Sequence, residues 1–193
     1  MTARFHRIGV LSDTHFAGSG IRWSFLRDLR DGLFAGVDMI FHAGDITDPD
    51  VLSGFHPIPV VGVRGNMDSP EVNLPQKRVL TLGSGKKVGL MHGWGPSAGL
   101  AGRILREFRE ERLDCLVFGH SHSPLCRRMD GVLLFNPGSA TMGRGSFGET
   151  VGLLEIGSEI HGKILKQDGI VIMETTHQEQ EPGSISRHSK PTE

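Results

Sequence analysis

Five short apolar runs in this chain each lead into a turn that carries a side chain able to bind a metal ion. The last run, residues 114–118, ends at Gly119-His120-Ser121-His122, where two imidazoles lie one residue apart after a glycine that permits a sharp turn. The other four turns are Asp13-Thr14-His15, Gly44-Asp45, Gly65-Asn66-Met67-Asp68 and His92-Gly93. We interpret the chain as a scaffold that brings these five loops together around two metal ions.

The order of the hydrophobic patterns predicts an α/β protein. Apolar runs at 8–11, 37–42 and 58–63 alternate with a helical pattern over 22–34 and a short helix that begins at Asp48-Pro49. This alternation is typical of a parallel sheet with ligands at the carboxyl ends of its strands. The second half predicts one amphipathic helix over 97–112 among strands at hairpin spacing: 78–82, 86–91, 114–118, 125–129, 132–135, 150–156, 159–165 and 170–174. We therefore expect two sheets packed face to face with helices outside.

Length and composition narrow the functional classes. The 193 residues fit one domain, and the formal net charge of -1 gives no electrostatic footprint for nucleic acid or for a membrane surface. The two cysteines, Cys115 and Cys126, argue against a disulfide framework. No stretch has the form of a signal peptide or a membrane span, so we expect a cytoplasmic protein. From residue 176 the sequence is too polar to build a core, which predicts a domain over 1–175 and a disordered tail over 176–193.

The side chains in the five loops indicate a particular metal chemistry. Carboxylate, imidazole and amide oxygen suit ions such as Mn²⁺, Fe²⁺ and Zn²⁺, and the lack of thiolate argues against a structural zinc site. Seven candidate ligands are too many for one ion and suit two ions that share a carboxylate: Asp13, His15, Asp45, Asn66, His92, His120 and His122. Two such ions clamp a phosphoryl group and lower the pKa of a water between them.

Each of these motifs has an ordinary alternative when it is taken alone. Asp13 suits a simple turn, Gly65-Asn66 suits a turn with positive φ, and His92 suits a loop histidine with a satisfied ring. The conjunction of five such loops, each directly after a predicted strand, favours the metal site.

The ordered set of motifs resembles the calcineurin-like metallophosphoesterase superfamily. The short length, together with Asn136-Pro137-Gly138-Ser139 after the last ligand loop, is similar to its small prokaryotic phosphodiesterase subgroup. The resemblance covers about residues 7–175. It implies a four-layer α/β/β/α sandwich, in which two mixed sheets are flanked by helices and the site lies at one edge.

The resemblance also implies roles for the candidate ligands. Asp13, His15, Asp45 and His122 would bind the first metal, and Asp45 would bridge to a second one completed by Asn66, His92 and His120. We expect Asp45, Asn66 and His92 to be the catalytic residues, with a hydroxide activated by the metals as the nucleophile that attacks phosphorus in line. The expected cofactors are two divalent ions, with Mn²⁺ favoured and Fe, Zn or Ni as alternatives. Residues 136–139 would support the site from behind.

One position departs from the pattern of many superfamily members. Met67 stands where they carry a histidine that contacts the phosphate and can protonate the leaving group. The small subgroup often lacks this histidine too, but the general acid is then unassigned. We expect Asp68 to orient a ligand or a loop rather than to donate a proton.

Several functional alternatives stay open at this point. We favour hydrolysis of a small phosphodiester over that of a phosphomonoester; a nuclease would use the same chemistry, although the neutral charge weighs against a nucleic-acid partner. A scaffold on the same fold, like the retromer subunit that resembles this family, is the rival from another class. Seven complete ligand positions favour the enzyme. The sequence defines neither the natural substrate nor the oligomeric state.

Other signals outside the ligand loops carry less information. The glycine pattern over 143–148 lacks the strand and helix of a dinucleotide site, so it predicts a loop. Arg64 and Arg144 suit either a substrate phosphate or the surface. We expect substrate specificity to reside in the loops 16–21, 93–99 and 139–148.

Overall fold

The computed structural model describes residues 6–16, 20, 22–82 and 85–175. Within these ranges it contains two α-helices, α1 (Trp23–Asp31) and α2 (Leu100–Glu107), and short 3-10 helices at Pro49–Phe55 and Gly145–Phe147. The strands are β1 (His6–Leu11), β2 (Met39–His42), β3 (Val60–Gly62), β4 (Lys77–Thr81), β5 (Lys87–Met91), β6 (Cys115–Val117), β7 (Leu125–Met129), β8 (Val132–Asn136), β9 (Thr150–Ile156), β10 (Ile160–Lys166) and β11 (Val171–Glu174).

The strands form two mixed sheets. The first has the order β11-β10-β9-β1-β2-β3, in which β1, β2 and β3 are parallel and the remaining pairs are antiparallel. The second has the order β4-β5-β6-β8-β7, in which β5, β6 and β8 are parallel. Each sheet therefore has three adjacent parallel strands, whose carboxyl ends lie on the same side of the sheet.

Alternation along the strands divides the apolar side chains into three layers. Ile8 and Val10 of β1 face the other sheet, whereas Leu11 packs under α1 with Leu26 and Leu29. The second sheet shows the same alternation: Leu116 of β6 packs under α2, while its neighbours Cys115 and Val117 point between the sheets. These three apolar layers separate four structural layers, so the structure has the predicted α/β/β/α arrangement.

One aromatic side chain fixes how closely the two sheets approach. Phe135 of β8 is fully buried in the layer between the sheets. Its ring lies against Gly152 of β9 and Gly162 of β10, and a Cβ atom added to either glycine would collide with the ring. The two glycines therefore leave the space that the Phe135 ring fills.

The predicted elements are present, but both α-helices are shorter than the sequence pattern predicts. The helix predicted over 22–34 ends at Asp31, where the N–H of Gly32 closes the last turn on Asp28. The helix predicted over 97–112 begins only at Leu100, because Gly99 has a left-handed φ of 70°, and it tightens after Glu107 into turns with i-to-i+3 bonds. Helical spacing continues through these turns, so the periodicity alone does not show where a helix stops.

Some sequence predictions fall outside the described residues. They are the tail over 176–193, the turn at Gly83-Ser84 between β4 and β5, and residues 17–19 and 21 of the loop after β1. Among the residues that the structure describes, no helix is long and apolar enough to cross a membrane.

Replacing the Phe135 ring should test its role between the sheets. We expect Phe135→Ala to lower the free energy of unfolding by about 3–5 kcal/mol, since it leaves a cavity that the glycine-lined strands cannot fill. Denaturant unfolding followed by circular dichroism, at one fixed metal concentration, measures the change. Ile170→Ala is the matched control, because Ile170 is 58% exposed and its loss should change stability by about 0.5 kcal/mol or less. Equal effects of the two variants would contradict this role.

Candidate metal centre

The carboxyl ends of the parallel strands bring all five predicted ligand loops to one place. The loops after β1, β2 and β3 come from the first sheet, and those after β5 and β6 come from the second. Backbone hydrogen bonds tie them together: Asp13 N–H donates to Gly44 O over 3.0 Å, and Gly119 N–H donates to His92 O over 3.1 Å. A further bond, Ala140 N–H to Ser12 O over 3.1 Å, joins β1 to the loop after β8.

The backbone of these loops adopts a conformation that side chains disfavour. Five of the seven candidate ligands have positive φ angles between 43° and 68°: Asp13, His15, Asp45, His120 and His122. A left-handed residue other than glycine costs of the order of 1–3 kcal/mol and persists only where the surroundings enforce it. Such strain concentrates at functional sites, and here the strained residues are ones whose side chains meet at the candidate metal centre.

Two glycines allow the loops to approach one another. A Cβ atom on Gly65 would collide with the carboxylate of Asp45, and one on Gly119 would collide with the side chains of Ser12 and Asp13. Glycine at these positions therefore leaves room for the aspartates at the bottom of the site.

The first group of ligand atoms consists of Asp13, His15 and His122. Asp13 Oδ1 lies 3.2 Å from His122 Nε2 and 3.7 Å from His15 Nε2, and the two Nε2 atoms are 3.2 Å apart. These atoms lie close enough to one another to contact a single ion.

The second group consists of Asp13, Asp45 and His92. His92 Nε2 lies 3.3 Å from Asp45 Oδ2 and 3.9 Å from Asp13 Oδ1. Asp45 Oδ2 is also 3.5 Å from His15 Nε2, so it lies between the two groups, as a bridging ligand must. Asp13 Oδ1 belongs to both groups as well; either carboxylate can bridge in this geometry, and the assignment to Asp45 stays a prediction.

Asn66 and His120, the two remaining predicted ligands, face each other beside the second group. Asn66 Oδ1 lies 2.9 Å from His120 Nδ1, and the rings of His120 and His92 are 5.3 Å apart in an edge-on arrangement. Gly95 O lies 2.8 Å from His120 Nε2 and can only accept, so Nε2 carries a proton; in a neutral ring Nδ1 is then an acceptor, as Asn66 Oδ1 is, and neither atom donates to the other. The structure thus brings all seven predicted residues together, whereas their binding of metal stays a prediction.

Backbone carbonyls orient two of the histidine rings. His92 Nδ1 lies 2.7 Å from Ala43 O, and His122 Nδ1 lies 3.0 Å from Met142 O. A carbonyl oxygen can only accept, so each Nδ1 carries the proton and each Nε2 presents its lone pair to the site. This is the arrangement usual for histidines that bind metals.

Two atoms at the centre are buried without a hydrogen bond. They are Asp13 Oδ1 and His92 Nε2, and both side chains are at most 2% exposed. A buried acceptor without a donor costs about 1–3 kcal/mol, and more when it is charged. A cation between them removes this cost, so the donor set fits the divalent ions that the sequence predicts.

The aspartates and histidines change one another's pKa values. Burial would raise the pKa of Asp13, but His122 and His15 hold it well below its usual range. Burial likewise opposes a low pKa for Asp45, and the His92 imidazole, whose Nε2 lies 3.3 Å from Asp45 Oδ2, lowers it nonetheless. Against burial, the carboxylates of Asp45 and Asp13 raise the pKa of His92, and the neighbouring Asp13 carboxylate raises the pKa of His122. The metal-free centre is therefore anionic enough to hold protons on histidines in place of a cation.

Several polar side chains support the ligand loops without belonging to either group. Asp68, expected as an orienting residue, accepts the N–H of Thr47 at 2.6 Å and that of Gly65 at 2.7 Å, so it joins the Asp45 loop to the Asn66 loop. From the Asn136–Ser139 loop, Asn136 Nδ2 donates to Gly119 O, and Ser139 Oγ donates to Asp13 O over 2.7 Å. This loop lies behind the site, as the resemblance implies.

His42 also supports the site, as a buried neutral histidine. Its Nδ1 accepts the N–H of Gly44 over 3.2 Å, and its Nε2 lies 3.2 Å from the hydroxyl of Thr14. Burial lowers the pKa of His42 to about 3, so the ring is neutral at physiological pH.

Some of the residues that shape the centre could not be recognised in the sequence. Thr141 Oγ1 donates to Thr14 O over 2.8 Å and lies 3.3 Å from Asp13 O, which holds the first ligand loop in place. The backbone carbonyl of Gly95 accepts a hydrogen bond from His120 Nε2 and so orients that ring. Neither has a sequence signal, because a lone threonine and a backbone carbonyl occur everywhere. The 143–148 segment forms a loop around a 3-10 turn, as predicted.

Comparison with known proteins identifies the family. Residues 7–159 match the family described as the calcineurin-like phosphoesterase superfamily domain. A probable metallophosphoesterase of Methanothermobacter thermautotrophicus is 37% identical over 139 residues, which are 71% of this chain and 78% of the relative. The chain therefore belongs to the calcineurin-like phosphoesterase superfamily.

Solved structures agree with this family. A predicted phosphoesterase from Streptococcus pneumoniae has a TM-score of 0.69 and 27% identity, covering 87% of this chain and 93% of that one. Vps29 from Entamoeba histolytica, solved in complex with zinc, has a TM-score of 0.64 and 26% identity, covering 86% of this chain and 95% of that one.

Metal binding should weaken as the pH falls. The raised pKa values of His92 and His122 mean that, near and below pH 6.5, both rings carry protons that an incoming ion must displace. We expect the affinity of metal-stripped protein for Zn²⁺ to fall by up to about tenfold per pH unit for each displaced proton. Calorimetric titration at pH 6 and pH 8, in buffers with different ionisation heats, measures both affinity and proton release. Equal affinity at the two pH values would contradict the coupling.

Removing one acceptor from Asp68 should loosen the site. Asp68→Asn keeps the shape but leaves the N–H of Thr47 or Gly65 without an acceptor, so we expect the metal-free protein to lose about 1–3 kcal/mol of stability. Asp50→Asn on the exposed 3-10 helix is the matched control and should change stability by about 0.5 kcal/mol or less. Thermal unfolding of both variants after removal of metal by a chelator measures their stability. Equal stability of the two variants would contradict the role of Asp68 in joining the loops.

Proposed function

We propose that this superfamily member is a metal-dependent phosphodiesterase that uses two divalent ions. The observation that carries the proposal is the pair of ligand groups around Asp13, with the buried and unpaired Asp13 Oδ1 and His92 Nε2. Groups of this composition suit hard to borderline divalent ions, among which we favour Mn²⁺, with Fe, Zn and Ni as alternatives.

The residues of the chain take distinct roles in this proposal. Bound ions would neutralise charge on the phosphoryl oxygens and lower the pKa of a water at neutral pH. Asp13, His15 and His122 hold one side of the centre and Asn66, His92 and His120 the other, with Asp45 between them. Carbonyls at Ala43 and Met142 fix the rings of His92 and His122, so the ligand atoms are preorganised before the substrate arrives.

Neither Met67 nor Asp68 supplies a proton donor beside the centre, and this favours certain leaving groups. Met67 is 61% exposed and has no ionisable group, and both oxygens of Asp68 are occupied by backbone N–H groups. The ester oxygen therefore has to leave as a stabilised anion or take its proton from water, which favours activated or acidic leaving groups.

A diester fits the surroundings better than a monoester. A cleft of about 340 Å³ opens directly beside Asn66 and His92, and it offers room for a second ester group. A monoester has no such group and carries an additional negative charge near Asp13 and Asp45. A nuclease would use the same centre on a nucleic-acid phosphodiester, and the net charge of -1 gives no support for that partner.

A scaffold role is the rival, because Vps29 shares the fold. Competent side chains at all seven ligand positions favour the enzyme. For the cellular setting we propose the cytoplasm, since Cys115 and Cys126 are both free and so fit a reducing compartment.

Hydrolysis of model esters tests the proposal. We expect metal-stripped protein refilled with Mn²⁺ to hydrolyse bis-p-nitrophenyl phosphate with a higher kcat/KM than p-nitrophenyl phosphate. Asp45→Asn and His120→Ala should each lower the diester rate by about a hundredfold or more, because several kcal/mol of charge stabilisation depends on the ions. His161→Ala on β10, outside both ligand groups, should keep the wild-type rate.

Each other outcome points to a specific alternative. Turnover of the monoester alone would assign a phosphatase. Bound metal without turnover of either ester would contradict a general phosphodiesterase, and failure to bind metal at all would favour the scaffold.

A further inference from the structure

The cleft beside the metal centre has the features of a binding site. Its walls include Asn66 and His92 of the centre, together with Arg64, Gln76, Trp94 and Glu107. Two of the metal-centre residues are thus part of its floor. A group bound in the cleft would therefore lie next to a phosphate held at the centre.

Trp94 forms an aromatic wall of this cleft. Its side chain is 41% exposed, although indoles are usually more completely buried. It lies two residues after His92, and the next residue, Gly95, accepts from the His120 ring over 2.8 Å. An exposed indole in the lining of this cleft, two residues from His92, is placed to contact the substrate rather than to complete the core.

The backbone that carries Trp94 is held firmly. Arg103 of α2 donates to Trp94 O over 3.0 Å and to Ala98 O over 2.7 Å, and it also contacts Pro96 O. One guanidinium thus fastens three carbonyls of the 94–98 segment to α2. A flat ligand would meet a preformed surface there, which reduces the entropy lost on binding.

The polar groups of the cleft have mixed charge. Arg64 offers a guanidinium that has no hydrogen-bond or ion-pair partner among the described residues. Gln76 offers a donor and an acceptor, and Glu107 offers a carboxylate. A polyphosphate tail would be repelled by Glu107, and an alkyl chain would make no hydrogen bond with any of the three groups. A flat heterocycle with both donors and acceptors satisfies them.

We propose that the Arg64–Trp94 cleft is a subsite for a nucleobase, so that the substrates of this protein are phosphodiesters of nucleosides. The proposal rests on the proposed phosphodiesterase function. Trp94 stacks on the base, while Arg64 and Gln76 bind its edge or the adjoining sugar and phosphate oxygens. Stacking depends little on which base is present, so the subsite selects substrates that carry a base but discriminates little among the bases.

Binding measurements test the subsite without any need for turnover. In a Trp23→Phe background Trp94 is the one remaining tryptophan, and its fluorescence reports directly on the cleft. We expect adenosine 5′-monophosphate to quench it and to bind at least about tenfold more tightly than ribose 5-phosphate, which lacks the base. By calorimetry, Trp94→Ala should abolish this difference and Trp94→Phe should retain most of it. Equal affinities in the wild type, or a difference that survives Trp94→Ala, would overturn the proposal.

The role of Arg64 is measured in the same titrations. Arg64→Met should lower the affinity for adenosine 5′-monophosphate by about tenfold, whereas Arg64→Lys should retain part of the affinity that Arg64→Met loses. Arg109→Met is the matched control, because the Arg109 side chain is 79% exposed and does not line the cleft. An effect of Arg109→Met equal to that of Arg64→Met would remove Arg64 from the subsite.

A kinetic comparison separates the subsite from the proposed function. The p-nitrophenyl esters of thymidine 5′-phosphate and of deoxyribose 5-phosphate share a leaving group and differ in the base. We expect Trp94→Ala to raise KM for the thymidine ester at least about tenfold with kcat within about twofold, and to leave the deoxyribose ester unchanged. Hydrolysis of both esters without any preference that depends on Trp94 would overturn the subsite alone. Base-dependent binding without hydrolysis of either would overturn the phosphodiesterase and keep the subsite.

Discussion

The whole arrangement depends on a buried carboxylate oxygen that lacks a donor. Asp13 Oδ1 is enclosed by three histidine rings, and His92 Nε2 beside it is equally unpaired. A folded protein keeps such atoms only if something else satisfies them, and a divalent cation does so for both at once. The surrounding loops, their strained backbone and the carbonyls that orient His92 and His122 all serve to hold these atoms in place.

The two sheets supply what a single sheet lacks. The first sheet contributes Asp13, His15, Asp45 and Asn66, and the second contributes His92, His120 and His122. Packing the sheets around Phe135 brings the carboxyl ends of their parallel strands together, so that the two sets of side chains meet at one edge. The distance between the sheets therefore affects the distances between ligands from the first sheet and ligands from the second.

Sequence patterns predicted where the ligand-bearing loops begin far better than they predicted the backbone conformation within those loops. Apolar runs before Asp13, Asp45 and His92 could be recognised because burial imposes them, and the confirmed fold follows from their order. The left-handed backbone at Asp13 and His122 could not, since only the packed loops enforce it. The Arg103 contacts that fasten the Trp94 segment were equally hidden, because a guanidinium binding carbonyls leaves no residue pattern.

The most direct test of the account locates the ions themselves. Crystals of the protein loaded with Mn²⁺ or Zn²⁺ would be measured at the absorption edge of the metal, so that anomalous peaks mark each ion. We expect two peaks about 3.5–4 Å apart. One should lie next to Asp13, His15 and His122 and the other next to His92, with Asp45 between the two. A single peak, or peaks away from Asp13 Oδ1 and His92 Nε2, would contradict the dinuclear centre on which the proposed function rests.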